Sequence, residues 1–178
     1  MTLSGTLLGA RRAEMRAALR TYLSPFLPKL AEGLHVCLAS AIVLRKVNME
    51  SGLAQSSWRT RAEIGKVKLE DVRPTLPYAM PGLDEPLRQM RRVPDRVSTY
   101  GATPESNAEE YLKKADELRA YVDKVVVRCY RRGLPPSRHH QWKLLRLAKQ
   151  LEGLWGVRFN NSPSKADRNA RDTEDEQT

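Results

Sequence analysis

Thr103–Gly133, TPESNAEEYLKKADELRAYVDKVVVRCYRRG, is the stretch on which the fold class turns. Tyr111, Ala115, Leu118, Val122, Val125 and Cys129 recur in it at alternating intervals of four and three. That interval repeats one helix face, and an apolar seam of this kind has to be buried against another element. Thr103–Pro104 and the capping box Ser106-x-x-Glu109 supply a start signal, and Gly133 supplies a stop. Beyond it, Leu134-Pro135-Pro136 makes a short stiff connection, with Ser137 placed as a cap. A second helical pattern follows through Trp142, Leu145, Ala148, Leu151 or Glu152, and Trp155, with Gly153 and Gly156 near its end. Two amphipathic helices joined by so short a loop predict an antiparallel helical hairpin over 105–158.

On the N-terminal side the pattern changes twice. Residues 1–47 read as an amphipathic helical region broken at Pro25 and Pro28. Over 48–104, Gly52 and Ser56–Ser57 interrupt the periodicity, and Trp58–Val72 is of mixed charge with a weak repeat. Pro74, Pro77, Pro81, Pro86, Pro94 and Pro104 then leave room only for short helical pieces such as Glu85–Arg92. Proline removes a backbone donor and restricts the residue before it, so this segment is expected as an irregular, proline-rich arm. Leu76, Tyr78, Met80, Leu83 and Leu87 give the arm groups to bury against another protein. At the other end, 159–178 loses the apolar signal and carries Asp172, Glu174, Asp175 and Glu176, the composition of a disordered polar tail. The class expected is all-α: a small helical domain with a C-terminal antiparallel helical hairpin and a proline-rich extended arm.

Thirty-one Lys plus Arg against 21 Asp plus Glu give a formal charge of +10. Such a balance favours an anionic partner, whether nucleic acid, anionic lipid or an acidic protein face, and does not choose among them. Cys37 and Cys129 are the only cysteines and sit within apolar helical patterns, so they read as small buried hydrophobes. A single disulfide between them stays open. The longest apolar run, Leu34–Leu44, is interrupted by His35 and Ser40 and falls short of the roughly 20 residues that span a bilayer. No transmembrane helix is expected from it. Near the start, Leu8, Met15, Leu19, Tyr22 and Leu23 share one helical face, while Arg12, Arg16 and Arg20 follow each other at four-residue steps on another. An Arg-rich, acid-poor amphipathic helix fits a mitochondrial import signal and equally an ordinary basic surface helix.

The residues that could carry chemistry do not assemble into a motif. His139 and His140 are adjacent, so on a helix they point about 100° apart and cannot chelate one metal as a pair one turn apart can. The paired carboxylates Asp84–Glu85, Glu109–Glu110 and Asp116–Glu117 lie among Lys and Arg, which reads as a salt-bridged, solvated face. Neither a glycine-rich phosphate loop nor a nucleophile motif is present. A non-enzymatic protein holding no metal or cofactor is expected. Arg128, Arg131, Arg132, Arg138, Lys143, Arg146 and Lys149 gather around the bend between the two C-terminal helices, with Tyr130 and Trp142 nearby. That group could grip RNA phosphates and stack a base, or meet a protein face or anionic lipid.

The stretch from about Lys66 to Leu154 resembles the ubiquinol–cytochrome c reductase binding protein family, the subunit-seven accessory proteins of respiratory complex III. Lys68-Leu69-Glu70-Asp71-Val72, then Glu85-Pro86-Leu87-Arg88-Gln89-Met90-Arg91-Arg92-Val93-Pro94, is similar to the family's Leu-x-x-Asp and Leu-Arg-Arg-Leu-Pro elements. Arg119–Arg132, Leu134-Pro135, Gln141-Trp142 and Leu151-Glu152 follow in the family's order. Departures are a longer separation between Val93-Pro94 and Leu134-Pro135, a missing Leu-Pro-Lys-Glu sequence, and an N-terminal third without counterpart. The resemblance implies a mainly helical accessory subunit, peripheral on the matrix side of the mitochondrial inner membrane. It would contact cytochrome b and the core proteins and carry no haem. Leu87, Arg91, Arg92, Leu134, Pro135 and Trp142 are the residues expected to make those contacts. The alternative function is that of a mitochondrial ribosomal or other RNA-binding structural protein.

Overall fold

The computed structural model describes residues 3–47, 52–99 and 105–159, with side chains over 9–46, 56–98 and 108–155. Within them the chain is all-α, and no strand occurs among the described residues. The elements are α1 (Leu3–Leu23), α2 (Leu27–Val47), α3 (Gly52–Val72), the one-turn α4 (Leu76–Ala79), α5 (Asp84–Thr99), α6 (Glu105–Arg132) and α7 (Arg138–Phe159). Thr103–Pro104 and the tail 160–178 lie outside the described residues, as do 48–51. Ser106 lies inside α6 rather than ahead of it.

α2 is the central partner of α3, α5 and α6, and its buried apolar residues form one broad face of roughly 120°. Leu30, Leu34, Cys37, Leu38, Ala41 and Leu44 are all buried, and the helix meets α3, α5 and α6. By length and composition alone, Leu27–Lys46 is also apolar enough to cross a bilayer, which the count over Leu34–Leu44 did not capture. In this fold a little under half of that apolar stretch is buried inside the protein.

Small residues let α2 and α3 approach closely. A Cβ built on Gly33 would lie 2.9 Å from Leu69 Cδ2, and one on Gly65 would lie 3.0 Å from Cys37 Sγ and 3.1 Å from its backbone nitrogen. Position rises along one helix as it falls along the other, so the two run in opposite directions. Lys29–Asp71 and Lys68–Glu32 ion pairs flank the same seam in that order.

Within the proline-rich arm expected over 48–104, the described residues 52–99 are largely helical, as α3, α4 and α5. α5 runs as a helix through Pro94, and Leu87, Met90, Val93 and Val97 form its inward stripe, continued by Leu83 just ahead of the helix, each fully buried. Two features explain why the prolines are tolerated. Pro86 sits in the first turn, where the backbone N–H has no intrahelical partner to lose, behind Asp84 and Glu85, which favour a helix N-terminus. Pro94 costs one internal hydrogen bond, and a five-residue apolar stripe outweighs it; burying such side chains stabilises by roughly 1.5–3 kcal/mol each.

Arg96 fastens α5 to α6 and α7. It is only 8% exposed, yet it donates to Gln89 Oε1 at 2.8 Å and to the Tyr111 hydroxyl at 3.4 Å. Its guanidinium also lies 5.3 Å from the Trp155 ring centroid. The buried charge is therefore met by dipoles and a π face, with Gln89 relaying to Glu85 through a 2.5 Å hydrogen bond.

The expected α6 seam is the core stripe of that helix: Tyr111, Ala115, Leu118, Val122, Val125 and Cys129 are all buried. On α7 the expected Ala148 and Leu151 are buried, but Leu144 takes the place of Trp142 and Leu145 in the first half of the stripe. Leu144, Ala148 and Leu151 point inward, while Trp142 and Leu145 are 58% and 39% exposed.

Both cysteines are free and buried. Burial is the main effect on Cys37 and pushes its thiol up to about 12. The neighbouring Lys66 is raised as well: burial opposes its charge, but hydrogen bonds to Asp95 and Glu63 outweigh that. Both groups hold their protons more tightly folded than unfolded. Their contribution is complete below pH 9 and is lost as the pH climbs through the folded values. Thermal stability should be flat against both groups up to about pH 9 and then fall. A Cys37→Ala variant should show a shallower fall between pH 9 and 10.5. An identical slope in that variant would mean that the thiol is not held protonated.

Candidate docking site where the first, sixth and seventh helices meet

The end of α6 is built by its sequence. Gly133 adopts φ +61°, and the amides of Gly133 and Leu134 return to the carbonyls of Tyr130 and Cys129 at 3.2 Å each. This is the Schellman closure, which needs a residue free to enter the left-handed region. α1 completes the cap from outside: Arg20 Nε donates to the Tyr130 carbonyl at 3.1 Å and its Nη2 to the Arg131 carbonyl at 2.5 Å. A positive group at a helix C-terminus is favourable on both hydrogen-bonding and dipole grounds. The contact is so close that a Cβ on Gly133 would lie 2.6 Å from Arg16 Cβ and 2.8 Å from its Cα.

Past the bend, Ser137 caps α7, its Oγ accepting from the His140 amide at 3.5 Å. His140 Nδ1 and the Tyr121 hydroxyl lie 2.8 Å apart and tie α7 back to α6. Burial lowers the His140 pKa, and the positive charges of Arg128, His139, Lys124 and Arg132 lower it further. The imidazole registers the field of the cations around it.

Three depressions open here, one of them of about 580 Å³ along Asp123, Lys124, Val127, Arg128, Arg131 and Arg132 of α6. A cleft of about 150 Å³ is lined by Arg128, Arg132, Leu134, Ser137 and His140 among others. A groove of about 500 Å³ runs between Arg12, Met15, Arg16 and Leu19 of α1 and Gly133, Leu134 and Pro135. Met15 is 65% and Leu134 46% exposed, so apolar surface is open at its edge.

Of the residues expected to contact a partner, Leu134, Pro135 and Trp142 are exposed at or just beyond this bend. Leu87 is corrected: it is fully buried in the α5 stripe and is a core residue. Arg91 and Arg92 are exposed on α5, and Arg91 is paired with Glu70 of α3 at 2.7 Å. Two features of the bend were missed. Arg12 and Arg16 of α1 join it, a juxtaposition that no local pattern shows. The other was visible in the sequence: from Lys124 to Leu151 there is no Asp or Glu at all. α6 contributes exposed Lys124, Arg128, Arg131 and Arg132 to that stretch, and α7 contributes exposed Arg138, Lys143, Arg146 and Lys149. Among the described residues none of these takes part in an ion pair, whereas Lys66, Lys68, Arg73, Arg91 and Arg119 elsewhere do.

Among the described residues no three of His, Cys, Asp and Glu gather as a metal site would require. No family model, curated protein or solved structure matches this chain.

Proposed function

We propose that this chain is a non-catalytic accessory subunit that docks on a larger assembly through the α1–α6–α7 end of its bundle. One observation carries the reading: exposed Met15, Leu134 and Trp142 lie beside cations of α6 and α7 that make no ion pair among the described residues. Exposed apolar groups ringed by charge are the usual makings of a contact surface. The resemblance to the ubiquinol–cytochrome c reductase binding proteins supplies a specific form. In it the assembly is mitochondrial complex III, and the chain lies peripherally on the matrix side, stabilising cytochrome b and the core proteins. Native purification in mild detergent tests this form, because reducible b- and c-type haem bands should accompany the tagged chain. Haem-free particles would remove complex III as the assembly.

Trp142→Ala tests the docking surface itself. The residue is 58% exposed, and the Arg146 guanidinium lies 5.4 Å from its ring centroid. Folding stability should change by no more than about 0.5 kcal/mol, as for other surface positions. Incorporation into the assembly should drop by about tenfold or more, the loss of an interface anchor worth about 2 kcal/mol. Equal yield of the assembled particle would take Trp142 out of the interface. A second reading, an RNA-containing assembly, draws on the acid-free stretch between Lys124 and Leu151.

A further inference from the structure

We infer that this end of the bundle binds a single-stranded nucleic acid by its phosphate backbone. The inference deepens the second reading of the docking surface and rests on the same end of the molecule. Four observations point the same way. The acid-free cations on α6 and α7 are exposed and make no ion pair among the described residues, although Lys143 lies over the Tyr121 ring and Arg146 over the Trp142 ring. Lys124, Arg128 and Arg132 form a row along α6 that rises about 6 Å per step. Between the end of that row and the start of α7 lies the cleft of about 150 Å³, where Arg128, Arg132, Ser137 and His140 offer polar groups to a phosphate beside the apolar Cys129, Leu134, Pro135 and Pro136. Trp142, 58% exposed with the Arg146 guanidinium over it, then offers an aromatic surface on which a base can stack.

The shape of the charged surface chooses among polyanions. At 100° per residue, the cations cover an arc of roughly 100° on α6 and roughly 140° on α7. A flat bilayer would meet only part of such a curved surface, whereas a flexible strand can follow it. Helices that lie in a membrane interface also bury their apolar face there. Here the main apolar faces of α6 and α7 are turned into the bundle, with Leu118, Val122, Val125, Leu144, Ala148 and Leu151 fully buried, and among the described residues of these helices Val127, Trp142 and Leu145 are the large apolar side chains left exposed.

The test is fluorescence anisotropy of the full chain with labelled 20-nucleotide oligo(U) and oligo(dT), from 50 to 300 mM salt. Binding should weaken steeply with salt. A triple variant Arg128→Gln, Arg132→Gln, Arg138→Gln should flatten the log–log slope by about 2, since each single-strand phosphate contact contributes about 0.7. The matching triple Lys variant keeps the charge and should retain the slope. Arg91→Gln with Arg92→Gln, on α5, should leave it unchanged. Circular dichroism of each variant separates lost binding from lost fold. Binding to either oligonucleotide with this pattern supports the site. No binding by the folded chain overturns it, as does an unchanged slope in the Gln variant. Binding only to vesicles of phosphatidylcholine and phosphatidylglycerol would also overturn it, in favour of a lipid surface. Failure here is distinguishable from failure of docking. A chain that binds oligonucleotide but purifies alone keeps this site and loses the docking role, and one that copurifies with an assembly but ignores oligonucleotide does the reverse.

Discussion

Gly133→Ala should lower stability by about 2–4 kcal/mol and free α1 from the bundle, although it adds only one methyl group. Two costs combine. The residue sits at φ +61°, a left-handed conformation that costs an L residue about 1–2 kcal/mol. In addition, the new Cβ would lie 2.6 Å from Arg16 Cβ and 2.8 Å from the Arg16 backbone, atoms that move only if α1 moves. If α1 retreats, the two hydrogen bonds from Arg20 to the end of α6 go with it. The midpoint of thermal unfolding should fall by roughly 10 °C for a domain of this size. Trypsin should also cut at Arg16 and Arg20 far faster in the variant. A wild-type melting curve with wild-type proteolysis would mean that α1 does not rest against the bend.

Gly65→Leu should be as damaging, for a different reason. Gly65 lies within α3 at an ordinary helical angle, so no backbone strain enters, and leucine is the better helix former by about 0.8 kcal/mol. Packing decides the sign. Its Cβ alone would lie 3.0 Å from Cys37 Sγ and 3.1 Å from Val36 Cγ1, and three further carbons have nowhere to go. Overfilling a packed interface costs about 1–3 kcal/mol, and here the two helices must separate, exposing the seam on which α2 anchors the fold. Gly153 provides the control. It is exposed on α7 with nothing within 4 Å of a built Cβ, so Gly153→Ala should stabilise by about 0.5–1 kcal/mol. Denaturant unfolding of both variants checks the pair, and similar midpoints would remove the close α2–α3 contact from the account.

The sequence discloses these features unevenly, for physical reasons. The α6 seam is legible because a long helix with one apolar face repeats its signal over about five turns, and the six residues expected inside are inside. α7 carries apolar residues on two adjacent stripes, Trp142 with Leu145 and Leu144 with Ala148 and Leu151. Periodicity accepts either, and the packing of α5 and α6 against the second settles which is buried. α5 was obscured by its prolines. Their local effect is plain in the sequence, whereas the buried stripe that offsets it depends on α2 and α6 being in place. Gly33 and Gly65 show the same limit: a small residue is visible, the helix pressed against it is not. The docking end combines both cases. Its charge can be read from the absence of Asp and Glu between Lys124 and Leu151, but the arrival of Arg12 and Arg16 from α1 is a tertiary fact.

The central claim is that partners meet the end of the bundle formed by α1, α6 and α7. Site-specific photocross-linking in native extract tests it most directly, with a photoreactive residue introduced singly at 134, 142, 64 and 78. All four native side chains are exposed: Leu134 46%, Trp142 58%, Ile64 49% and Tyr78 89%, so accessibility alone does not favour the bend. Positions 134 and 142 should give the same discrete adducts and positions 64 and 78 none of them. Adducts formed from 64 or 78 and absent from 134 and 142 would place the docking surface on another face and contradict the account.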